Sequence, residues 1–428
     1  MNNLEHLAGK KLLILGGNPE TGVLVKKAND LGVYTIVADP NPESPAKVYA
    51  KKHYNIDGFD IPNLIKAANE EKVDGVLVGV ADILVPPYLR LCSELGLHCY
   101  ASEKIINALS SKDGFIEACN QYNIATVPAF RLDENLKPGD LNKIEYPVIV
   151  KPVDNGGGVG MSICRNQQEL ISGAKKAIQN SKKRTFITER LMQTDDMVAY
   201  YTFKNGEVFL SAIADRITTK KQARNSPVCM ASIYPSKHAN RYYEYIHPQI
   251  SKLCTGIGIK NGILAIQFFV EGNNFYAYDP GFRLQGEAMH IYIDKINGFD
   301  HRSMLINFAL TGSMGVEDLT ERNDFLFGGK HACTVWVLLK HGRIKHINGL
   351  TELQNDPSVI FVMQRFFEGD VVLENMVGNE KQVLARIYLV TETKEELFSK
   401  IHDIKSKLSV IDQEGKNMIV DFYNPSVV

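Results

Sequence analysis

The stretch from Tyr146 to Cys164 constrains the fold of this chain more than any other. An apolar β-type run ends on Lys151. A turn holding Gly156, Gly157, Gly158 and Gly160 follows, and a second short run, Met161 to Cys164, resumes directly. Glycines let backbone N–H groups approach phosphate oxygens closely, and the lysine adds a cation beside them. In a Walker-type loop or a dinucleotide fingerprint such glycines open a helix. Here they join two strands, which points to a flexible hairpin flap over a polyphosphate. The competing structural reading is a plain Gly-rich hairpin with a surface lysine.

Composition narrows the class. A chain of 428 residues has the length for two or three domains, and with 44% hydrophobic and 23% charged residues it can fill a sizeable core. A net charge of −1 gives no broad basic face for nucleic acid. The seven cysteines are scattered without a C-x-x-C pair, which suits reduced, buried thiols rather than a zinc site. No apolar stretch is long enough to span a bilayer, and the N-terminus has no signal-like apolar core. The expectation is a soluble, cytoplasmic protein with no nucleic-acid and no membrane partner.

Taken in order, the chain first alternates β and α. Lys10 to Gly17 reads as a buried parallel strand ending in glycine, a helix runs to Leu31, and a second strand ends on Asp39. The glycine spacing is G-G-x-x-x-x-G rather than G-x-G-x-x-G, which favours a structural βαβ unit over an NAD site. A helix from Pro62 to Glu71, a strand from Asp74 to Val80, a helix from Pro86 to Leu95 and a strand at His98 to Tyr100 complete a small doubly wound α/β domain.

From Ser110 the character changes. A helix begins near Lys112, at an end where anions are stabilised. Asn166 and Glu169 form a capping box, Arg184 to Met192 is a strand carrying Glu189, and Asn205-Gly206 marks a hairpin. Thr218 to Ser232 is polar and basic, and reads equally as a mobile loop over a site or a plain surface loop. After a helix from Tyr242 to Thr255, a further hairpin turns at Gly272 to Asn274. Counting outward from that turn puts Gln267 opposite Asp279, close enough to share one ligand. Their oxygens suit a Mg²⁺ ion carried on nucleotide phosphates. Arg283 follows, with a fixed-charge fork suited to phosphate or carboxylate. The remaining segment reads as a hairpin turning at His341-Gly342, two more strands, a helix opened at Thr393 and a terminal strand.

In this order the features resemble the ATP-grasp superfamily over essentially the whole chain. Within it they are most similar to the carbamoyl-phosphate synthase, biotin carboxylase and purine-pathway carboxylate–amine ligase branch. The resemblance implies a mixed α/β and α+β architecture in three parts. A doubly wound pre-ATP-grasp domain would cover residues 1–108, and a two-lobed ATP-grasp domain 109–325, with its flap at about 116–188. A small β-rich α+β subdomain would cover 326–428.

The resemblance also implies ATP and Mg²⁺ (or Mn²⁺) as cofactors, small-molecule carboxylate and amine substrates, and an acyl-phosphate intermediate; it allows a homodimer. Lys112 and Lys151 match the lysines that hold ATP phosphates, and Gly156, Gly157, Gly158 and Gly160 match the flap. Glu189, Arg190, Leu191 and Met192 fall on the interlobe stretch at the adenine, and Asp196 on the position facing the ribose. Gln267 and Asp279 fall on the two main metal positions. Arg283 falls on the arginine that stabilises the transferring group, with Lys151 as its catalytic companion. Arg216, Lys220 and Arg224 lie where they could grip an acidic substrate. Two departures stand out: Asp279 replaces the commoner Glu, and Gly281 replaces a metal-binding Asn.

Overall fold

Three of the first four β runs are buried at four consecutive positions, the pattern of strands covered on both faces. The computed structural model describes residues 4–133, 135–153, 160–219, 227–316, 318–420 and 422–425, and pairs these runs in a parallel sheet. β1 (Lys11–Leu15), β2 (Tyr34–Ala38), β3 (Lys52–Tyr54) and β4 (Gly75–Val78) lie in the order β3-β2-β1-β4. The order reverses between β1 and β4, so the loops at their carboxyl ends flank a crevice. A side chain at Gly17 would begin 2.2 Å from Ser44 Oγ and 2.9 Å from Asp39 Cγ. The glycine turn is thus packed against the loop after β2, in the space a dinucleotide ribose would need. The expected strand at His98–Tyr100 does not form; Tyr100 instead packs its ring against Tyr88 and Phe282.

The glycine-rich stretch belongs to a second sheet. β5 (Ala129–Phe130), β6 (Val148–Pro152), β7 (Ser162–Cys164) and β8 (Phe186–Arg190) are antiparallel, in the order β5-β8-β6-β7. β6 and β7 are partners, as a hairpin requires, with Val150 opposite Ser162. The helix Gln167–Gln179 covers one face and buries Leu170, Ala174 and Ala177 against Val148, Val150 and Cys164. Asn166 caps it by accepting the Glu169 N–H at 2.9 Å.

The third sheet is the largest. The chain supplies β9 (Asp195–Lys204), β10 (Glu207–Thr218), β11 (Cys229–Tyr234), β12 (Gly262–Glu271) and β13 (Asn274–Phe282). It then supplies β14 (His331–Leu338), β15 (Gly342–Asn348), β16 (Val359–Gln364), β17 (Val371–Val372), β18 (Val383–Thr391) and β19 (Ser409–Asp412). Eight of these form one antiparallel sheet in the order β13-β12-β9-β10-β11-β14-β18-β16. Asn205 and Gly206 turn the β9–β10 hairpin with φ of 54° and 91°, the left-handed conformation such a turn demands.

β14 and β15 are not the hairpin their sequence suggests, because β15 joins β17 and β19 in a separate three-stranded sheet. The reason is burial. Seven of the eight residues in β14 are buried, which places it inside the large sheet, whereas β15 is apolar on one side only and suits an outer layer. The tail expected as a strand makes only isolated bridges, Leu339 to Ile419 and Ile411 to Asn417. Among the described residues, no helix is long and apolar enough to cross a membrane.

Candidate nucleotide and acyl-transfer site

Two lysines far apart in sequence meet at the end of β6. Ser111 Oγ accepts the Gly114 N–H at 3.1 Å and so fixes the start of the helix Lys112–Gln121. From that first turn, Lys112 Nζ donates to Pro152 O at 3.3 Å. Lys151, the residue before Pro152, forms an ion pair with Glu189. β6 pairs with β8 so that Ile149 faces Glu189 and Lys151 faces Ile187, which makes the ion pair a diagonal cross-strand contact. Lys112, Lys151 and Glu189 are therefore brought together. Gly160 is held in a tight place, since a side chain there would begin 2.7 Å from Asn180 Cβ and 2.8 Å from Pro152 Cγ. Gly156, Gly157 and Gly158 lie outside the described residues, as do Lys220 and Arg224.

The stretch after β8 connects this end to the large sheet. The Arg190 N–H donates to Pro128 O at 2.9 Å and the Leu191 N–H to Pro147 O at 3.1 Å. Leu191 and Met192 are buried. The Arg190 side chain pairs with Glu271 at 2.6 Å and contacts Met192 Sδ at 3.2 Å, which ties β8 to the tip of the β12–β13 hairpin.

Several charged and polar residues of the large sheet meet in one cluster. Gln267 and Asp279 are direct partners across β12 and β13, and Asp196 and Arg216 are direct partners across β9 and β10. Arg216 is only 12% exposed and stands at the centre. Its Nη1 lies 3.1 Å from Asp196 Oδ2, 3.0 Å from Gln267 Oε1 and 2.9 Å from the Tyr278 hydroxyl. Its Nε lies 3.3 Å from Glu287 Oε1. The Tyr278 hydroxyl in turn donates to Asp196 Oδ1 at 3.0 Å, and its ring stacks on Phe269 with centroids 4.3 Å apart. Tyr200 donates to Glu287 Oε2 at 2.6 Å. Burial pushes the Asp196 carboxyl upward, and Arg216 only partly offsets it. Arg216 is thus an interior partner of this network, not the solvent-facing grip that its basic surroundings suggested.

Asp279 remains exposed to solvent although protein crowds around it. Loss of water, reinforced by the charge of Asp82, pushes its carboxyl up to about 6, against the pull of Arg216, Arg283 and Lys151. Asp82, from the loop after β4, also forms an ion pair with Arg283. Arg283 donates further to Gln285 Oε1 at 2.8 Å. A side chain at Gly281 would begin 3.2 Å from Asp82 Oδ1. Glycine at this position therefore leaves room for Asp82 beside the strand.

A third arm comes from the C-terminal strands. Arg386 on β18 lies 3.9 Å over the Trp336 ring, pairs with Glu20 at 3.1 Å, and donates to Gly286 O. Arg365 also pairs with Glu20. Burial opposes the ionised Glu20 carboxyl, but the two arginines outweigh it and hold its pKa below the usual range. Asp82, Glu287, Glu20, Arg365 and Arg386 escape a reading of the sequence alone. Asp82 carries a usable signal, since it follows the carboxyl end of a parallel strand where ligand crevices form. So does Arg386, a single charge inside the apolar run Val383–Thr391.

The donors present decide what metal arrangement fits. Gln267 Oε1 is already engaged by Arg216, and Gly281 offers no side-chain oxygen. Among the described residues, no group of three or more His, Cys, Asp or Glu is placed to hold a metal ion. One divalent ion carried in on phosphates suits Asp279; a pair of ions shared by Gln267 and Asp279 does not suit these residues.

The family model described as "Carbamoyl-phosphate synthase L chain, ATP binding domain" matches residues 111–314. The matched span, just under half of this chain, corresponds to an ATP-binding domain of the ATP-grasp type. The chain is 24% identical over 318 residues to the carbamoyl phosphate synthase large chain of Clostridium botulinum (strain Kyoto / Type A2), covering 69% of this chain and 29% of that protein. The chain thus spans less than a third of that relative. Among solved structures, the L-amino acid ligase from Bacillus licheniformis aligns with a TM-score of 0.76 at 17% identity, over 95% of this chain and 99% of that one. Phosphoribosylglycinamide synthetase from Anaerococcus prevotii aligns at 0.74 and 19% identity, over 94% and 100%. At such identities the likeness is one of ATP-grasp fold.

Proposed function

We propose that this chain is an ATP-dependent ligase that activates a carboxylate as an acyl phosphate and joins it to an amine. The observation that carries the reading is the run of charge from Lys112 and Lys151, past Asp279, to Arg283, where three separate parts of the chain converge. ATP is its first substrate in this reading. Lys112 and Lys151 neutralise the phosphates, Glu189, Arg190, Leu191 and Met192 border the adenine, Asp196 lies toward the ribose, and Gly156, Gly157, Gly158 and Gly160 form the flap. Asp279 would hold a Mg²⁺ or Mn²⁺ ion brought in with the nucleotide, which would supply charge neutralisation for the phosphates. Arg283 turns its fork from Asp82 to the γ-phosphoryl group as the substrate carboxylate attacks it and ADP leaves. An amine then displaces phosphate. Lys220, Arg224 and Arg283 remain the candidates for holding the acid. The residue boundaries 1–108, 109–325 and 326–428 are part of the same proposal. The names of the two similar structures, an amino acid ligase and a phosphoribosylglycinamide synthetase, support it.

Phosphate release from Mg-ATP across a panel of carboxylic acids and amines tests the reading. The expected result is release that requires one acid together with one amine. Saturation with Mg-ATP should also stabilise the protein by roughly 3 kcal/mol at a hundredfold excess over the dissociation constant. No stabilisation by nucleotide sinks the proposal at its first step. A second reading, a nucleotide-binding protein of reduced activity, draws on Gly281 and on the engagement of Gln267 by Arg216. Nucleotide binding with no phosphoryl transfer to any acid, bicarbonate included, would favour it. Bicarbonate as the acid that is activated would point to a carboxylase-type member instead.

A further inference from the structure

The centre of the reactive face is already occupied by a positive charge. Arg216 contributes one guanidinium, paired with the carboxylates of Asp196 and Glu287 and near enough to Asp279 for its charge to be felt there. Its Nη1 donates to Gln267 Oε1 at 3.0 Å. A Mg²⁺ ion bound to that same oxygen would need to come within about 2.1 Å of it. The ion and the guanidinium would then be near neighbours of like charge, competing for one amide oxygen. Arg216 cannot move aside cheaply, because Asp196, Tyr278 and Glu287 hold it on the remaining sides. Each of those groups is itself fixed: Tyr278 by stacking on Phe269, Glu287 by Tyr200, and Asp196 by Tyr278. The other expected donor position is Gly281, which brings no side chain and has Asp82 against it.

We propose that Arg216 is a built-in cation that takes the place of a second divalent ion at the phosphates, so that bound nucleotide brings in one metal ion, held through Asp279. The inference rests on the ATP-dependent ligase reading above. It deepens that reading by stating the charge inventory of the site. A guanidinium stays charged at every accessible pH and is not removed by a chelator. The site therefore keeps the Arg216 charge whatever the free metal concentration. It also explains why a glycine suffices at position 281 and an amide at 267: neither has to hold an ion.

The test counts metal ions directly. Mn²⁺ is titrated into the full chain with a non-hydrolysable ATP analogue, bound Mn²⁺ is read by electron paramagnetic resonance, and bound analogue by equilibrium dialysis of the same samples. The expected result is one Mn²⁺ per bound nucleotide. Gln267→Ala should leave the count at one, and Asp279→Asn should remove the ion. Arg216→Gln, if it folds by circular dichroism, should raise the count to two. Should that variant fail to fold, the wild-type count and Gln267→Ala decide alone. Two ions per nucleotide in the wild type, with one lost in Gln267→Ala, overturns the inference while leaving the ligase reading intact. Absence of bound analogue overturns both.

Discussion

The two ends of the candidate site are built on different principles. At the end of β6, Lys112 and Lys151 reach in from separate elements, and the Lys151–Glu189 pair is the one ion pair on β6 and β8 that joins them. On the large sheet, Asp196, Arg216, Gln267, Tyr278 and Glu287 interlock, each holding another. The first arrangement leaves long cationic side chains that can exchange one partner for a phosphate. The second fixes its charges before any ligand arrives, which is the condition for electrostatic preorganisation. One end is suited to grasping and the other to holding a field still.

Substitutions should separate these two designs. Arg216→Met should have the largest effect, because it strands Asp196 and Glu287 without their counter-ion; we expect a loss of about 3–5 kcal/mol in urea unfolding. Lys151→Met, removing a partly exposed pair, should cost below about 1 kcal/mol and act on nucleotide affinity instead. Equal losses for the two would erase the contrast. Glu20→Gln comes next. It removes the carboxylate that Arg365 and Arg386 share, leaving Arg386 its weaker pair with Glu380 at 3.6 Å, and should cost about 2–4 kcal/mol. An unchanged unfolding midpoint would show that the pinned network does not extend to the N-terminal sheet.

A pH experiment sharpens the contrast further. The folded pKa of Asp279 is raised to about 6, above that of an unfolded aspartate. The folded state thus holds a proton that the unfolded state releases, and ionised Asp279 weighs against folding at pH above 6 but not below about 4. Asp279→Asn should therefore raise Tm at pH 8, and the gain should vanish at pH 4. A gain independent of pH would mean that the carboxyl is not held up by its surroundings. A small effect on stability is also expected from Gly281→Ala. Its new methyl meets Asp82 at 3.2 Å, but Asp82 is half exposed and can give way, so the cost should stay near 1 kcal/mol, the low end for overpacking. A cost well above that would show the contact with the N-terminal sheet to be rigid.

What could be read from the sequence follows the same division. Local signals were sufficient for the Asn205-Gly206 turn, the cap at Asn166, the helix starting at Lys112, and the pairing of Gln267 with Asp279 counted from its hairpin. Each depends on residues close in sequence. Arg216 sits beside a basic, aperiodic run and reads as a surface cation. Its inward turn depends on β9 and β12 supplying Asp196 and Gln267 alongside. Glu20 finds its partners 345 residues away for Arg365, a distance that no local pattern encodes. The separation of β14 from β15 was likewise invisible in the hairpin signal, because it is decided by which strand can be covered on both faces.

The continuity of the eight-stranded sheet has one more consequence. β11 pairs with β14, so the strands before and after residue 325 form a single hydrogen-bonded ladder. Ending the chain at residue 325 would leave β11, with its buried Ala231 and Tyr234, as a bare edge of unpaired N–H and C=O groups. Such edges recruit strands from other molecules. The shortened chain should therefore self-associate in light scattering, and the C-terminal segment serves the rest of the protein as a guard against its own aggregation.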